Sequence, residues 1–300
     1  MMQCALPSPR ECWFVTSVDL REFRTPGRGR GLLDVFTWRY LLRLLVRKGT
    51  QTRYRNSVLG WTWSYVKPAA QFAVFFVVMG LFLGLNRGVD NFAVYLFSGV
   101  VLMNFFNEGF GNATRSILEN GALVQKIYLP RELFPIAAII VAFVHFLPQG
   151  IILLVACLFL GWTPTFSGIA AIALAMFIIG SISLGLGMLF GSINVAYRDA
   201  QNVVELIQMF STWAAPVLYT WQLVHDSLPG WLFHVYMANP LTAAVELFHA
   251  GFWYPTSDGS LPKPEHLMIN AWISVGVCLV SLVIGQIVFR RFERRFAQEL

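Results

Sequence analysis

The sequence predicts an all-α, polytopic membrane protein, and three observations carry that prediction. First, 56% of the 300 residues are apolar and only 13% are charged, whereas an ordinary soluble domain carries roughly 25% charged residues. Second, the apolar residues form runs of about 20 or more, which is the length of a bilayer-crossing helix. Third, 20 of the 22 Lys and Arg residues fall on one predicted side of those runs, in agreement with the positive-inside rule.

The chain begins with a segment that is not predicted to enter the membrane. Residues 1–31 contain the Gly-, Pro- and Arg-rich stretch "RTPGRGRG", which predicts a flexible cytoplasmic arm. The segment lacks the apolar core and the small-residue cleavage site of a secretory signal peptide.

Residues 32–67 predict an amphipathic interfacial helix and the approach to the first span. Arg39, Arg43 and Arg47 recur every four residues, so they share one face of a helix over 32–51, and apolar residues cover much of the remainder. This pattern is typical of a helix lying in the cytoplasmic membrane interface. Such a helix either only anchors the chain or also borders a cytosolic partner and a lipid substrate.

Six spans are predicted within residues 68–289, each an apolar run of sufficient length. Their bounds are 68–85, 92–113, 133–160, 166–193, 201–221 and 267–289. The external loops between them carry only Arg87 and Lys263 as cations. Both chain ends, including the basic tail 290–300, are therefore expected in the cytoplasm, with the protein in the bacterial inner (plasma) membrane.

Residues 228–255 are too apolar for a hydrated loop, yet a full seventh crossing would move the basic tail to the outside. Asn239-Pro240 interrupts the segment, since the residue before a proline leaves the helical region. We therefore predict a re-entrant helical hairpin on the outer side, with Asn239 and Pro240 as a gate. The alternative is a hairpin lying flat on the outer interface.

The chain lacks the motifs of several enzyme classes. It contains no Gly-Lys pair and therefore no GxxxxGK[ST] phosphate-binding loop, and HExxH and GxSxG are also missing. Its four cysteines have no metal-ligand spacing. We expect no catalytic site, metal, disulfide or cofactor in this chain, and no nucleic-acid partner, since its net charge of +6 is explained by cytoplasmic loops.

Five segments, in order along the chain, resemble segments of type-2 ABC exporter permeases. They are 53–63 followed by Lys67-Pro68, "SILENGALVQKIYLPRELFPI" at 116–136, Tyr197-Arg198-Asp199, "APVLY" at 215–219, and Asn239-Pro240-Leu241-Thr242. Together they extend over residues 32–290 and fit the predicted topology. The chain looks most like the polysaccharide exporters, which include O-antigen, capsule and teichoic acid permeases, and among them the galactan exporters of the mycobacterial cell wall.

The resemblance implies a transport subunit rather than an enzyme: a homodimer of this permease with two copies of a separate ABC subunit that binds ATP and Mg²⁺. It also implies export of a prenyl-pyrophosphate-linked glycan, of galactan or O-antigen type, across the inner membrane. Alternatives are an exporter of teichoic acid, capsule, a drug or a small lipid, a membrane-embedded glycosyl- or prenyl-transferase, and an ion-coupled transporter. The acidic metal-binding motifs of the transferase and the inverted repeat of the ion-coupled transporter are not visible.

The loop ahead of the third span predicts a short helix that couples to the ATP-binding subunit. The candidate residues are Glu119, Asn120, Leu123, Lys126 and Arg131. A solvated loop is the alternative, but the apolar residues interspersed in this loop favour a docked helix.

Polar and aromatic residues of the second and fifth spans predict a substrate channel. The candidates are Phe105, Phe106, Glu108, Phe110, Trp213, Tyr219 and Trp221. A charged residue at mid-bilayer costs at least about 2.5–3.5 kcal/mol, so Glu108 is expected to face a cavity or a partner. The alternatives are polar bonding between helices for Glu108 and ordinary packing for the aromatic residues.

Arg53 and Arg55 lie near the start of the first span. Paired guanidinium groups suit a lipid pyrophosphate, although ordinary positive-inside anchoring explains the same residues.

Overall fold

A computed structural model describes residues 35, 37–52, 60–126, 129–257, 261–293 and 296–299. All regular structure in these residues is helical. The helices are α1 (Arg39–Thr52), α2 (Trp63–Phe82), α3 (Phe92–Glu119), α4 (Gly121–Lys126), α5 (Leu133–Phe159), α6 (Phe166–Ala196), α7 (Ala200–Ser211), α8 (Trp221–Ser227), α9 (Gly230–Met237), α10 (Pro240–Phe252), α11 (Leu267–Glu293) and α12 (Phe296–Glu299). The predicted arm 1–31 and the pyrophosphate candidates Arg53 and Arg55 lie outside the described residues.

Five helices within the described ranges, α2, α3, α5, α6 and α11, are long and apolar enough to cross a membrane. They correspond to the first four and the last of the predicted spans. The protein is therefore a multi-pass membrane protein. The largest shift is at the second span, where the helix ends at Glu119 rather than at residue 113. The first span begins at Trp63 rather than at residue 68 and continues as a π-helix over Phe76–Phe82.

The prediction of a continuous helix over 201–221 is wrong. Helix α7 ends at Ser211, and turns follow over residues 212–217. Pro216 accounts for the break because its ring clashes with the carbonyl group four residues earlier. That residue, Thr212, is the C-cap of α7.

The predicted amphipathic segment contains helix α1, and the predicted break at Asn239-Pro240 separates helices α9 and α10. In α1, Leu45 is buried while the three arginines are exposed. Asn239 has an extended backbone and caps α10, whose first residue is Pro240. Residues 242–249 of α10 are all buried, whereas α9 is largely exposed. The positions of α1 and of this hairpin relative to a membrane stay predictions.

Helix α6 packs closely against α3 and α11 because glycines line its contacts. A Cβ atom at Gly285 of α11 would lie 2.4 Å from the carbonyl oxygen of Gly185 in α6, and one at Gly187 would lie 2.4 Å from Cβ of Ala113 in α3. Small residues permit such approaches between membrane helices. The bundle thus has α3 and α6 at its centre and α2 and α11 at its periphery, where most of their apolar surface is exposed.

We name the two ends of this bundle by their neighbours. The α10 end is the end at which α3 begins, near Tyr95, where α10 packs against it. The α1 end is the end at which α3 finishes, near Asn120, where α1, α4 and α12 lie. The 28 residues of α3 separate the two ends by about 42 Å.

Candidate functional site

Polar side chains meet at the middle of the bundle, where α3 lies between α5 and α7. The Glu108 carboxylate is 2.5 Å from Nδ1 of His145, which is 2% exposed. On another side of α3, Gln208 Nε2 donates to the main-chain oxygen of Asn107 at 2.6 Å, and Ser211 Oγ donates to Asn107 Oδ1 at 3.1 Å. These contacts are hydrogen bonds between helices, the alternative that the sequence left open for Glu108.

The three candidate phenylalanines of α3 are buried inside the protomer. Phe105 is 4% exposed, Phe106 1% and Phe110 0%. Phe105 packs against Phe146 with ring centroids 5.6 Å apart, and Phe110 packs against Phe190 at 5.8 Å. Their surroundings are those of packing residues.

The structure brings together two motifs that the sequence analysis identified separately. The carbonyl oxygen of Ala214, which precedes the 215–219 motif, accepts hydrogen bonds from Asn239 Nδ2 at 3.4 Å and Thr242 Oγ1 at 3.2 Å. Asn239 Oδ1 also accepts from the backbone N–H of Leu241 at 3.2 Å, which caps α10. The side chains of the 239–242 motif therefore fasten α10 to the non-helical segment that follows α7.

Tyr95 joins this segment and α10 to α3. Its hydroxyl lies 2.8 Å from the carbonyl oxygens of both Pro216 and Tyr219. Its ring stacks on His249 at 4.1 Å, and His249 Nε2 lies 3.1 Å from the Tyr95 carbonyl oxygen. Trp253 packs edge-on at 5.1 Å. Sequence reasoning missed this cluster because its members are widely separated along the chain.

The same end contains a buried carboxylate. Glu246 of α10 is 1% exposed and lies 3.7 Å from His249 Nδ1. Just beyond α10, burial raises the pKa of the Tyr254 phenol, and the Glu246 carboxylate raises it further. The phenol is therefore protonated at neutral pH, and it donates to the carbonyl oxygen of Pro262 at 3.0 Å.

Residues 208–219 run antiparallel to α3 towards the α10 end. Gln208 contacts α3 near Gly111, Val217 contacts it at Gly99, and Tyr219 contacts it at Tyr95. The 16 residues between Gly111 and Tyr95 rise about 24 Å. The segment thus covers most of a bilayer thickness although its helix is broken.

One face of α7 and of the turn that follows it is exposed and largely apolar. Its large members are Val203, Leu206, Met209, Phe210 and Trp213, with exposed fractions from 46% to 61%. Among the channel candidates of the fifth predicted span, Trp213 lies on this face, whereas Tyr219 and Trp221 are half-buried. The hydroxyl of Tyr219 donates to the carbonyl oxygen of Trp213 at 2.5 Å.

The coupling candidates divide into exposed and internal residues. Glu119 and Lys126 are exposed, and Leu123 is half-buried on α4. Asn120 instead accepts a hydrogen bond from Lys48 Nζ at 2.8 Å, which ties α1 to the junction of α3 and α4.

Arg131 is an internal residue of the α1 end. It is 6% exposed, donates to the carbonyl oxygen of Glu293, and lies over the ring of Phe296 at 5.5 Å. Next to it, Glu132 accepts a hydrogen bond from Gln286 at 3.1 Å and lies 4.0 Å from Arg290. The sequence did not indicate that the chain's last helices would pack here.

The profile of the ABC-2 type transporter family matches residues 40–253. An O-antigen export system permease protein of Klebsiella pneumoniae is 25% identical over 263 residues, which are 87% of this chain and 95% of that protein. A protein of the same name from Myxococcus xanthus is 25% identical over 267 residues, 89% of this chain and 98% of its own length. A capsule polysaccharide export inner-membrane protein of Neisseria meningitidis is 24% identical over 250 residues, which are 81% of this chain and 87% of that protein.

Proposed function

Because this chain belongs to the ABC-2 type transporter family, we propose that it is the permease subunit of an ATP-driven exporter of a lipid-linked polysaccharide. The proposal rests on the combination of a transporter-family match with the lack of an ATP-binding motif in this sequence. The family profile covers the helices from α1 to α10, and the sequence has no phosphate-binding loop. The energy must then come from separate ATP-binding subunits, of which we propose two copies, each binding ATP and Mg²⁺, on a homodimer of this permease.

The substrate proposal rests on the relatives. The three described above are named as O-antigen or capsule export proteins, and each aligns over most of its length. We propose a prenyl-pyrophosphate-linked glycan of O-antigen or galactan type, moved across the bacterial inner membrane. Arg53 and Arg55 remain the proposed partners of its pyrophosphate.

In the proposed topology the α1 end faces the cytoplasm, together with both chain ends. The broken segment 200–219 makes the sixth crossing beside the five long helices, and α9 and α10 form the hairpin at the outer side. The antiparallel course of residues 208–219 along α3 supports this arrangement. So does the distribution of cations, since Arg87 and Lys263 fall at the opposite end from the other basic residues in the described part of the chain.

The proposed pathway lies against the exposed face of α7. In a homodimer two such faces can enclose a channel, and Met209, Phe210 and Trp213 would present a weakly binding apolar surface to sugar rings. The buried phenylalanines of α3 would support this wall from behind. Asn239 and Pro240 hold the hairpin that closes the outer end.

The proposed coupling surface is α4, with Lys126 at its end and Glu119 just before its start. These residues are exposed at the α1 end, where a cytoplasmic ATPase can dock. Asn120 and Arg131 would transmit the motion inward, because Asn120 joins the start of α4 to α1 and Arg131 joins the start of α5 to α11.

Depletion of the chain in the cells that encode it tests the function. The glycan is labelled with a radioactive sugar, and its access to an impermeant glycosidase added outside the inner membrane is measured. Depletion is expected to leave lipid-linked glycan inside the cell, and a plasmid copy of the gene is expected to restore export. Normal appearance of glycan outside depleted cells would refute the proposal.

A further inference from the structure

A cavity of about 470 Å³ lies at the α1 end between α1, α3 and α5. Each helix contributes residues from a single face, at spacings of three, four and seven or eight positions. They are Leu45, Lys48, Gly49 and Thr52 from α1, Asn112, Ser116, Glu119 and Asn120 from α3, and Phe134, Ala137, Ala138 and Val141 from α5. Its volume is typical of small-molecule sites, which range over about 300–1,000 Å³.

The cavity has a polar side formed by α1 and α3. Lys48 Nζ donates to Asn120 Oδ1 at 2.8 Å, and Asn120 Nδ2 donates to the carbonyl oxygen of Ser116 at 2.7 Å, so the Asn120 amide is held in place. Glu119 is exposed, and Asn112, two turns earlier on α3, is half-buried. This side therefore offers ammonium and amide donors together with carboxylate and amide acceptors.

The opposite side of the cavity is apolar and formed by α5. Phe134, Ala137, Ala138 and Val141 present only carbon atoms from their side chains. Gly49 brings α1 directly onto this wall, since a Cβ atom there would lie 2.9 Å from Val141 Cγ2. The close approach of α1 to α5 therefore covers the cavity on one side.

We propose that this cavity binds a neutral sugar unit carried on a lipid tail, which would be the sugar nearest the membrane in the exported glycan. The assignment of that sugar to the glycan rests on the proposed function. Sugar hydroxyls both donate and accept hydrogen bonds, which matches the mixed polar side, and the C–H face of the ring fits the apolar wall. A phosphate headgroup fits less well, because Glu119 balances the charge of Lys48 and would repel an anion.

Protection of an introduced cysteine tests the binding without ATP or a partner subunit. The full chain, with Cys4 and Cys12 replaced by serine and carrying Ala138→Cys, is placed in nanodiscs of phosphatidylethanolamine and phosphatidylglycerol. The rate of maleimide labelling is measured against octyl β-galactoside and against octyl phosphate, below the concentrations that dissolve the bilayer. Gln125→Cys, on the exposed surface of α4, reports any general effect of the amphiphile.

The galactoside is expected to slow labelling at position 138 but not at 125, and octyl phosphate is expected to have little effect. Asn112→Leu should raise the half-protecting concentration about tenfold, the loss expected for one hydrogen bond to a ligand. The same change at Asn104, two turns away on α3, should not. Glu119→Gln should make octyl phosphate protective, because it removes the opposing charge.

Protection by octyl phosphate equal to that by the galactoside in the unaltered cavity would identify a phosphate headgroup site and overturn the sugar assignment. Equal labelling with and without both compounds would overturn the site itself. Because only binding is measured, either failure leaves the export proposal standing. Conversely, normal export in depleted cells would refute the export proposal but not the sugar site, which would then belong to a protein of another function.

Discussion

At the α10 end, side chains bond to main-chain carbonyl groups, whereas at the α1 end charged side chains make the polar contacts beside a hydrophobic cluster. Tyr95, Asn239 and Thr242 all donate to carbonyl oxygens of residues 214–219. At the α1 end, Lys48 of α1 instead donates to Asn120 at the end of α3, and Arg131 and Glu132, just before α5, bond to α11. The first arrangement fixes a broken backbone, and the second combines buried charges, Arg131 and Glu132, with exposed ones such as Lys48.

The difference corresponds to what each end must do in the proposed transporter. Neutral hydrogen bonds in a buried site are insensitive to salt and leave no charge to attract a partner. Exposed charges around a short helix contribute little stability but can steer and orient a docking protein. We therefore expect substitutions at the α10 end to change mainly stability, and exposed substitutions at the α1 end to change mainly coupling.

The largest expected effect is at Tyr95. Tyr95→Ala should lower the free energy of unfolding by about 3–5 kcal/mol, because it removes a buried aromatic ring from a packed core. Tyr95→Phe keeps the ring and should cost only about 1 kcal/mol for the hydroxyl. Thermal and denaturant unfolding in detergent measures both. A loss below about 1 kcal/mol for the alanine variant would contradict the central position given to Tyr95.

Arg131 differs from the exposed charged residues of the α1 end, because it is buried. Arg131→Ala should lower the free energy of unfolding by about 2–3 kcal/mol, since the carbonyl group of Glu293 loses a charged donor. Arg290→Ala is the matched control. Arg290 is 38% exposed and 4.0 Å from Glu132, so its loss should cost under about 1 kcal/mol. Equal losses for the two arginines would remove the distinction between internal and exposed charges at this end.

Asn239 tests the cap of α10. Asn239→Ala should lower the free energy of unfolding by about 1 kcal/mol, which is typical for an N-cap. Asn239→Asp retains the oxygen that accepts from Leu241 and should lose less. Hydrogen exchange of the first turn of α10, measured by mass spectrometry, should accelerate in the alanine variant. Unchanged exchange there would mean that Pro240 and packing alone define the start of the helix.

The smallest stability effect is expected at Lys126. Lys126→Ala should change the free energy of unfolding by less than about 0.5 kcal/mol, as for most surface substitutions. It should nevertheless weaken binding of the ATP-binding subunit and its stimulated ATP hydrolysis. Lys263→Ala, at the other end of the bundle, should affect neither. Normal coupling in Lys126→Ala would argue against α4 as the docking surface.

Much of the architecture could be predicted because each long helix is a continuous apolar run. The break at Asn239-Pro240 could also be predicted from local sequence, because a proline restricts the backbone of its immediate neighbours. The break after α7 depends equally on a proline, Pro216, but apolarity on both sides of it suggested one helix. Hydropathy reports transfer to lipid and says nothing about main-chain hydrogen bonding.

The contacts of the candidate site could not be predicted, because they join distant parts of the chain. Glu108 meets His145 across 37 residues, and Arg131 meets Glu293 across 162. Local sequence cannot show such partners. For this reason the sequence could not show that the coupling candidate Arg131 is buried, or that the channel candidate Phe105 packs against Phe146.

Transport by purified components tests whether this permease moves glycan only when a separate ATP-binding subunit supplies the energy. The permease is reconstituted in liposomes containing lipid-linked glycan, with and without the ATP-binding subunit, and glycan reaching the opposite leaflet is measured by glycosidase access. Glycan is expected to move only when permease, partner and hydrolysable ATP are all present, and the permease alone is expected to hydrolyse no ATP. Glycan transfer without the partner, or ATP hydrolysis by the isolated permease, would contradict it.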